Sequence, residues 1–249
     1  MKFHLSIFFL WVLAACARPA SKTPSVAIRS MPLFDSSRNR PIPVLLYVRS
    51  PVGMTRKPLV VISGGYGATA GSYSFIARQL AGEGYLVMDV QQDLPGDEPI
   101  AREGNLYEQR MPVWERGVRN VRFAVDAVRK QFPNQPLRPL ILIGHSNGGD
   151  ISVLLAKEHP ADVSHVITLD HRRMPIPRMG QPRFLTLRAV DTTADPGVLP
   201  DAHEQKQFGI GVISLKNGRH NDLHDGGSPE LKQQILEHLL RWLNEPKAE

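Results

Sequence analysis

Residues 139–149 are Pro-Leu-Ile-Leu-Ile-Gly-His-Ser-Asn-Gly-Gly, and this stretch decides the fold. Its apolar run at 140–143 is typical of a buried strand, and helix-compatible sequence follows at 150–159. Between them, residues 144–148 fit the pattern G-x-S-x-G, in which a serine sits on a sharp, strained strand-to-helix turn. The pattern predicts that Ser146 is an exposed nucleophile at the start of a helix.

Both glycines of this pattern have a steric reason. Gly144 and Gly148 must be small because the neighbouring strand and helix pass close to the turn. The free N–H groups of the first helical turn then point towards the reaction centre near the Ser146 hydroxyl. The competing interpretation is an ordinary glycine-rich turn in a nucleotide-binding sheet.

A serine nucleophile on such a turn needs a histidine later in the chain, because the order there is serine, acid, histidine. Downstream loop-like sequence contains His203, His220 and His224. Residues 212–215 predict a short strand, so His220 falls just past a carboxyl end, where open α/β sheets carry their chemistry. We predict His220 as the general base, with His224 as the alternative and His203 as a surface residue.

The acid has three candidates, and each follows a predicted strand. Asp191 comes two or three residues after the strand at 183–188, the usual distance for a triad carboxylate. Asp195 lies in the same exit loop but needs a longer excursion, and Asp170 ends the strand at 164–169. We predict Asp191, with Asp195 as its alternative and Asp170 as a third option. The carboxylate would hold the imidazole tautomer and stabilise the imidazolium.

A glycine-rich loop supplies candidate oxyanion donors. Residues 59–62 are a β-branched apolar run, and Ser63-Gly64-Gly65-Tyr66-Gly67-Ala68 follows it. Such a loop lets backbone N–H groups approach a substrate oxygen without interference from Cβ atoms. We predict the backbone N–H groups of Tyr66 and Asn147 as the donors. A phosphate-binding loop is the alternative, but no lysine follows at P-loop spacing and G-x-G-x-x-G is not matched.

Predicted strands and helices alternate along the chain, which implies an α/β fold with a mostly parallel sheet. The helices at 113–131 and 229–243 carry apolar stripes that face a core. We expect seven or eight strands with helices on both faces of the sheet. The predicted strands are 43–49, 58–63, 85–90, 139–144, 164–169, 183–188 and 211–215, and the predicted helices are 71–82, 113–131, 148–158, 202–207 and 229–243.

These features resemble the α/β-hydrolase superfamily. The segments that carry the resemblance are 63–68, 73–81 with 84–87, and the turn at Ser146. Within the superfamily, the chain is similar to the cutinase-like polyester hydrolases and to esterases of the platelet-activating-factor acetylhydrolase type. The resemblance covers roughly residues 40–245. It implies a serine esterase with a Ser-His-Asp triad, an acyl-enzyme intermediate and a small-molecule ester substrate. The alternatives are an acyltransferase on the same triad and a non-catalytic envelope lipoprotein.

The amino terminus predicts export. A positive start precedes an apolar stretch at 5–13, which is too short for a membrane-spanning helix of about 20 residues. Leu13-Ala14-Ala15-Cys16 matches the bacterial lipobox, and Cys16 is the only cysteine in the sequence. We predict an acylated Cys16 on the outer membrane facing the periplasm, because Ala17 rather than aspartate follows it. An ordinary cleaved signal and secretion to the periplasm is the alternative.

Length and composition predict one globular domain behind this signal. We expect a signal peptide at 1–15, a flexible tether at 16–30 and a hydrolase domain at 31–249, acting as a monomer. The formal charge of +6 is dispersed among acids, which argues against nucleic-acid binding. His220 and His224 stand four residues apart but lack the glutamate of a zincin, so we expect no metal and no cofactor.

Overall fold

The structure, a computed structural model, describes residues 25–50 and 57–245 of the chain. Strands and helices alternate through this part, as the sequence predicts. The strands are β1 (Ser25–Ser30), β2 (Leu33–Asp35), β3 (Arg40–Ile42), β4 (Val44–Ser50), β5 (Leu59–Ser63), β6 (Leu86–Val90), β7 (Leu140–His145), β8 (Val163–Leu169), β9 (Arg183–Arg188) and β10 (Gly211–Ser214). The helices are α1 (Ser74–Gly82), α2 (Leu106–Gln131), α3 (Asn147–Glu158), α4 (Ala202–Phe208) and α5 (Pro229–Asn244).

Eight of the strands form one sheet, in the order β1-β4-β6-β5-β7-β8-β9-β10. Strand β4 is antiparallel to both of its neighbours, and the other five pairs are parallel. Strands β2 and β3 pair separately. The predicted α/β class with a mostly parallel sheet of seven or eight strands is confirmed.

The centre of the sheet is buried on both faces. Every residue of β5, β6 and β7 is buried, which is why these strands are nearly continuous apolar runs. Helices α2 and α3 pack on one face, where Trp114 and Ile151 belong to one hydrophobic cluster. Helices α1 and α5 pack on the other face, where Ile76 and Ile235 belong to a second cluster. The predicted covering of both faces is therefore confirmed.

Helix α2 begins earlier than predicted. Its first residue is Leu106, seven residues before the predicted start at 113, and Pro112 lies inside it. Proline usually marks a helix boundary because it lacks an N–H group and clashes with the preceding turn. Here the Asn105 side chain accepts a hydrogen bond from the N–H of Glu108 and caps the helix. The cap starts the helix before the proline.

The predicted tether at 16–30 is wrong for its last six residues. Ser25–Ser30 forms β1, which pairs antiparallel with β4 at the edge of the sheet. None of its six side chains is buried, although Val26 packs against the second hydrophobic cluster, so the strand is held mainly by backbone hydrogen bonds at the edge of the sheet. The sheet therefore includes residues that the predicted boundary at 31 leaves out. The predicted signal peptide and Cys16 lie outside the described residues.

None of the helices within residues 25–50 and 57–245 combines the length and the hydropathy that crossing a bilayer requires.

Candidate active site

Ser146 lies between the carboxyl end of β7 and the first turn of α3. Its backbone has φ 49° and ψ −117°, a conformation that residues with a side chain rarely adopt. Its N–H donates to the carbonyl of Leu169 at the end of β8, over 2.9 Å. The bend places Ser146 in the wall of a cleft. This is the predicted strand-to-helix turn.

The two glycines of the turn are required by close backbone contacts. A Cβ atom on Gly144 would lie 2.2 Å from the carbonyl oxygen of Gly148. A Cβ atom on Gly148 would lie 2.1 Å from the carbonyl oxygen of Ser63, at the end of β5. Both distances are far below van der Waals contact, so the predicted steric reason for these glycines is confirmed.

His220 lies in a short 3₁₀ turn after β10, and its imidazole reaches Ser146. The distance from Nε2 to the Ser146 Oγ is 3.0 Å, although the two residues are 74 positions apart. The structure thus brings together the serine and the histidine that the sequence predicts. His224 lines the same cleft and its Nδ1 accepts a hydrogen bond from the Gly226 N–H, while His203 lies exposed in α4.

The carboxylate beside His220 belongs to Asp170. The distance from the His220 Nδ1 to the Asp170 Oδ2 is 2.5 Å. Asp191, the predicted acid, instead accepts a hydrogen bond from the backbone N–H of His220, over 2.7 Å. Asp195, its alternative, lies 4.0 Å from Arg173. The structure therefore corrects the predicted placement of the acid from the exit loop of β9 to the end of β8.

Strand order explains this correction. Strand β8 lies directly beside β7, whereas β9 is one strand further from the nucleophile. Asp170 follows the last residue of β8 and has φ 52°, a sharp turn immediately after the strand. The spacing of Asp191 after its own strand fits a triad acid equally well. The spacing of residues in the sequence does not show which strand lies beside β7. It therefore could not distinguish Asp170 from Asp191 as the acid.

Four donors surround the carboxylate of Asp170, which is fully buried. Its Oδ1 accepts from the Ala189 N–H over 3.1 Å and lies 2.7 Å from the Arg188 guanidinium. Its Oδ2 accepts from the Thr192 hydroxyl and from His220. Burial favours the neutral acid, but the hydrogen bond from His220 and the charge of Arg188 outweigh it and lower the pKa of Asp170. Asp170 is therefore a carboxylate at neutral pH.

This carboxylate determines which nitrogen of His220 carries the proton. A carboxylate can only accept, so the Nδ1 of His220 must donate to Asp170. The Nε2 is then the acceptor, and it faces the hydroxyl of Ser146. The arrangement leaves the imidazole ready to take the serine proton.

Both predicted oxyanion donors line the cleft next to Ser146. Asn147 is the first residue of α3, so no carbonyl within the helix can accept its N–H. In the loop at 63–68, the N–H of Gly65 donates to the Tyr73 hydroxyl over 3.0 Å. The next N–H along the loop is that of Tyr66, the predicted second donor.

A buried chain of hydrogen bonds, which the sequence did not predict, connects this loop to the histidine. The Tyr73 hydroxyl lies 2.7 Å from the Nδ1 of His145, and the Nε2 of His145 lies 3.0 Å from the carbonyl oxygen of His220. A carbonyl only accepts, so Nε2 carries the proton and Tyr73 donates to Nδ1. Burial lowers the pKa of His145 to about 3, so this ring is neutral at neutral pH. The chain positions the Gly65 loop and the His220 backbone against each other.

Helix α2 is tied to the turn at Ser146 by one buried side-chain contact. The indole N–H of Trp114 donates to the Asn147 Oδ1 over 2.9 Å, and both side chains are buried. This contact holds the amino-terminal half of α2 at the edge of the cleft. The cleft wall is therefore part of the same rigid unit as the nucleophile.

The cleft above Ser146 has a volume of about 750 Å³, and its lining is about equally polar and apolar. Its apolar walls come from Tyr66, Ala68, Tyr73 and Ile100, and the N–H of Ile100 donates to the Tyr66 hydroxyl over 3.2 Å. The lining contains arginine and histidine side chains but no aspartate or glutamate among the described residues. In the described ranges, no group of three or more histidine, cysteine, aspartate or glutamate side chains could hold a metal ion.

Comparisons with known proteins agree with this architecture. Residues 55–169 match the hydrolase family described as serine aminopeptidase, S33. Monoglyceride lipase of Mus musculus is 34% identical over 117 residues, which are 46% of this chain and 35% of the lipase. The match thus spans about a third of the length of this curated relative.

Two solved structures share the fold over most of the chain. A ferulic acid esterase from Streptomyces cinnamoneus has a TM-score of 0.58 at 20% identity, covering 86% of this chain and 82% of the esterase. A dienelactone hydrolase-like promiscuous phosphotriesterase from metagenomic libraries has a TM-score of 0.62 at 17% identity, covering 87% and 97%. At these identities the likeness concerns the fold alone. The chain therefore has the α/β-hydrolase fold, as the resemblance predicted, and its serine turn lies within the residues that match the S33 family model.

Proposed function

We propose that the protein is a serine hydrolase that cleaves carboxylic esters through an acyl-enzyme intermediate. One observation carries the proposal: the Oγ of Ser146 lies 3.0 Å from the Nε2 of His220, whose Nδ1 lies 2.5 Å from the carboxylate of Asp170. The similarity to an esterase fold and to a lipase segment supports the same reaction class. A binding protein without catalysis would need neither the strained serine nor the buried carboxylate.

The first half-reaction follows from these contacts. His220 takes the proton of Ser146 as the Oγ attacks the ester carbonyl carbon, and the backbone N–H groups of Tyr66 and Asn147 stabilise the oxyanion. The bond to the alcohol oxygen then breaks, and the imidazolium gives its proton to the leaving alcohol. Asp170 stabilises the imidazolium while it exists. The acyl group remains on Ser146.

The second half-reaction reverses the roles with water. His220 takes a proton from a water molecule, whose oxygen attacks the acyl carbonyl carbon. The tetrahedral intermediate collapses, the Ser146 oxygen receives the proton back, and the carboxylic acid leaves. In an acyltransferase, an alcohol or amine would take the place of this water.

Turnover of neutral aryl esters tests the proposal. The full chain should hydrolyse 4-nitrophenyl acetate and 4-nitrophenyl butyrate and should react with a fluorophosphonate probe. Ser146→Ala should lose the labelling and reduce kcat by about 10⁶. Ser164→Ala is the matched control. Ser164 lies at the amino end of β8, away from Asp170, and its hydroxyl donates to the Leu140 carbonyl over 3.1 Å, so this variant should keep full activity.

Three outcomes separate the alternatives. No labelling and no turnover of any ester would refute the proposal and favour a binding protein. Turnover that Ser146→Ala does not reduce would refute the assignment of the nucleophile. Ester cleavage that yields mostly transfer product when glycerol or an amine is added would show an acyltransferase on the same residues.

A further inference from the structure

Three arginines from two separate loops and one helix converge on the cleft. Arg102 lies in the loop before α2, Arg110 lies in the second turn of that helix, and Arg172 lies in the loop after β8. Arg102 is exposed, and the other two are half-buried. We call these three residues the cleft arginines. They line the same cleft as Ser146 and His220.

The cleft arginines are less engaged with the rest of the protein than several arginines outside the cleft. Elsewhere, Arg40 lies 2.8 Å from Asp97, Arg116 lies 2.9 Å from Asp93 and Arg178 lies 3.0 Å from Glu204. By contrast, the side chains of Arg102 and Arg172 form no hydrogen bond or ion pair with any described residue. Each therefore presents a full set of N–H donors to the cleft.

Arg110 is only partly engaged. Its Nε donates to the carbonyl of Ala101 over 2.9 Å, and this bond ties one edge of the guanidinium to the loop before α2. The terminal nitrogens make no further hydrogen bond within the described part of the chain. The fork of two N–H groups that matches a carboxylate or phosphate oxygen pair is thus still open.

Positive charge accumulates at this wall without full compensation. The pKa of Arg110 is lowered, first by burial and then by the nearby charge of Arg173. Arg172 adds to the repulsion, while Asp150 offsets part of it. The Oδ1 of Asp150 is already occupied by the backbone N–H groups of Arg173 and Met174, over 3.0 and 2.9 Å. Clustered cations that face an open cleft attract an anion from solution.

We propose that the cleft arginines form an anion subsite and that the preferred substrates are esters with a carboxylate or phosphate group on one arm. This inference rests on the proposed ester hydrolysis and names its substrate class. The cleft suits such a substrate because three guanidinium groups line it and no aspartate or glutamate of the lining would repel an anion, while Tyr66, Ala68, Tyr73 and Ile100 supply apolar wall for the rest of the molecule. The anion would pair with the arginines while the ester carbonyl lies at Ser146.

Matched ester pairs measure the preference on each arm. On the acyl arm, mono-4-nitrophenyl adipate is compared with its methyl ester. On the alcohol arm, 4-acetoxybenzoate and 4-acetoxyphenyl phosphate are compared with methyl 4-acetoxybenzoate. In at least one pair, the anionic ester should have a kcat/KM about tenfold or more above that of its neutral partner. The reason is that it alone can form charge-assisted hydrogen bonds with the arginines. Added salt should reduce this ratio, because it screens exposed charges.

Variants assign the preference to the cleft arginines. Arg172→Gln and Arg102→Gln should each lower the ratio of anionic to neutral kcat/KM by about threefold to tenfold. Arg172→Lys should restore part of it, because lysine keeps the charge but loses the fork. Arg119→Gln is the control: it removes the same charge from α2 at an exposed position, 3.9 Å from Glu115, and should leave both rates unchanged.

The outcomes distinguish this inference from the proposed function. Equal kcat/KM within every pair, with turnover that depends on Ser146, would overturn the anion subsite and leave the ester hydrolase standing. A preference that survives both Arg172→Gln and Arg102→Gln would overturn the assignment to these residues. If no ester is turned over, calorimetry with adipate and with inorganic phosphate decides. Binding that Arg172→Gln weakens supports the subsite, and no binding of either anion overturns it.

Discussion

Arginine has opposite roles in two groups of residues: the floor, defined as His220, Asp170 and Arg188 next to Ser146, and the mouth, defined as the cleft arginines. At the floor, Arg188 is 8% exposed and lies 2.7 Å from the Asp170 carboxylate, and it also donates to the His171 carbonyl over 2.6 Å. At the mouth, Arg172 is half-buried and its guanidinium has no partner among the described residues. At the floor, each charged side chain is fixed by a partner, whereas the Arg172 guanidinium at the mouth remains available to a ligand.

Desolvation explains the difference. A buried charge is costly unless it is paired, so every ionised group at the floor has a partner of the opposite sign or several donors. A cation at the mouth keeps water as its partner and loses little when no ligand is present. Fixed pairs at the floor suit a reaction that needs a set orientation, and open cations at the mouth suit a ligand that comes from solution.

Among the variants that test this comparison, the largest expected effect concerns the acid at the floor. Asp170→Asn should reduce kcat by about 10⁴, because the amide can present its N–H to His220 and hold the wrong tautomer. Asp191→Asn, the matched control, changes a carboxylate that contacts only the His220 backbone N–H and the nearby Arg219. It should change kcat by less than about tenfold, since the imidazole contact remains. Rates with 4-nitrophenyl acetate test this, and a larger loss in Asp191→Asn would reverse the assignment.

The second prediction compares how much Arg188 and Arg172 contribute to the free energy of unfolding. Arg188→Gln leaves Asp170 buried with one fewer charge partner and should lower the free energy of unfolding by about 3–5 kcal/mol. Arg172→Gln removes a side chain without a described partner and should change that free energy by at most about 0.5 kcal/mol. Urea unfolding of both variants gives the two values. Equal losses would show that the mouth arginine also has a structural role.

The smallest effect concerns the hydrogen-bond chain behind the floor. Tyr73→Phe removes the donor to His145 and the acceptor of the Gly65 N–H, so the oxyanion loop loses its position relative to His220. We expect kcat to fall by about tenfold to a hundredfold through misplacement, with KM nearly unchanged. Tyr85→Phe, at the entry to β6, serves as the control. If Tyr73→Phe lowers the free energy of unfolding but leaves kcat unchanged, Tyr73 contributes to packing and does not position the oxyanion loop.

Local pattern in the sequence was enough for a large part of this protein. The apolar run before Gly144, the small residues around Ser146 and the helix-compatible sequence after it identify a strained turn, because each constraint acts over a few residues. His220 could be found for a similar reason, since it follows a recognisable strand and few other histidines lie downstream. The alternation of strands and helices then implied the parallel sheet.

Tertiary structure alone decided which residues meet across the sheet. Asp170 and Asp191 follow their strands in equally suitable ways, and only the order β7-β8-β9 places Asp170 beside His220. The edge strand β1 was likewise missed, because it is held mainly by backbone pairing with β4 and buries none of its side chains.

The same limit applies to the Tyr73–His145 chain and to the cleft arginines, which come from distant segments. Sequence records the preferences of each segment, whereas a site made of several strand ends depends on how those strands are ordered in space.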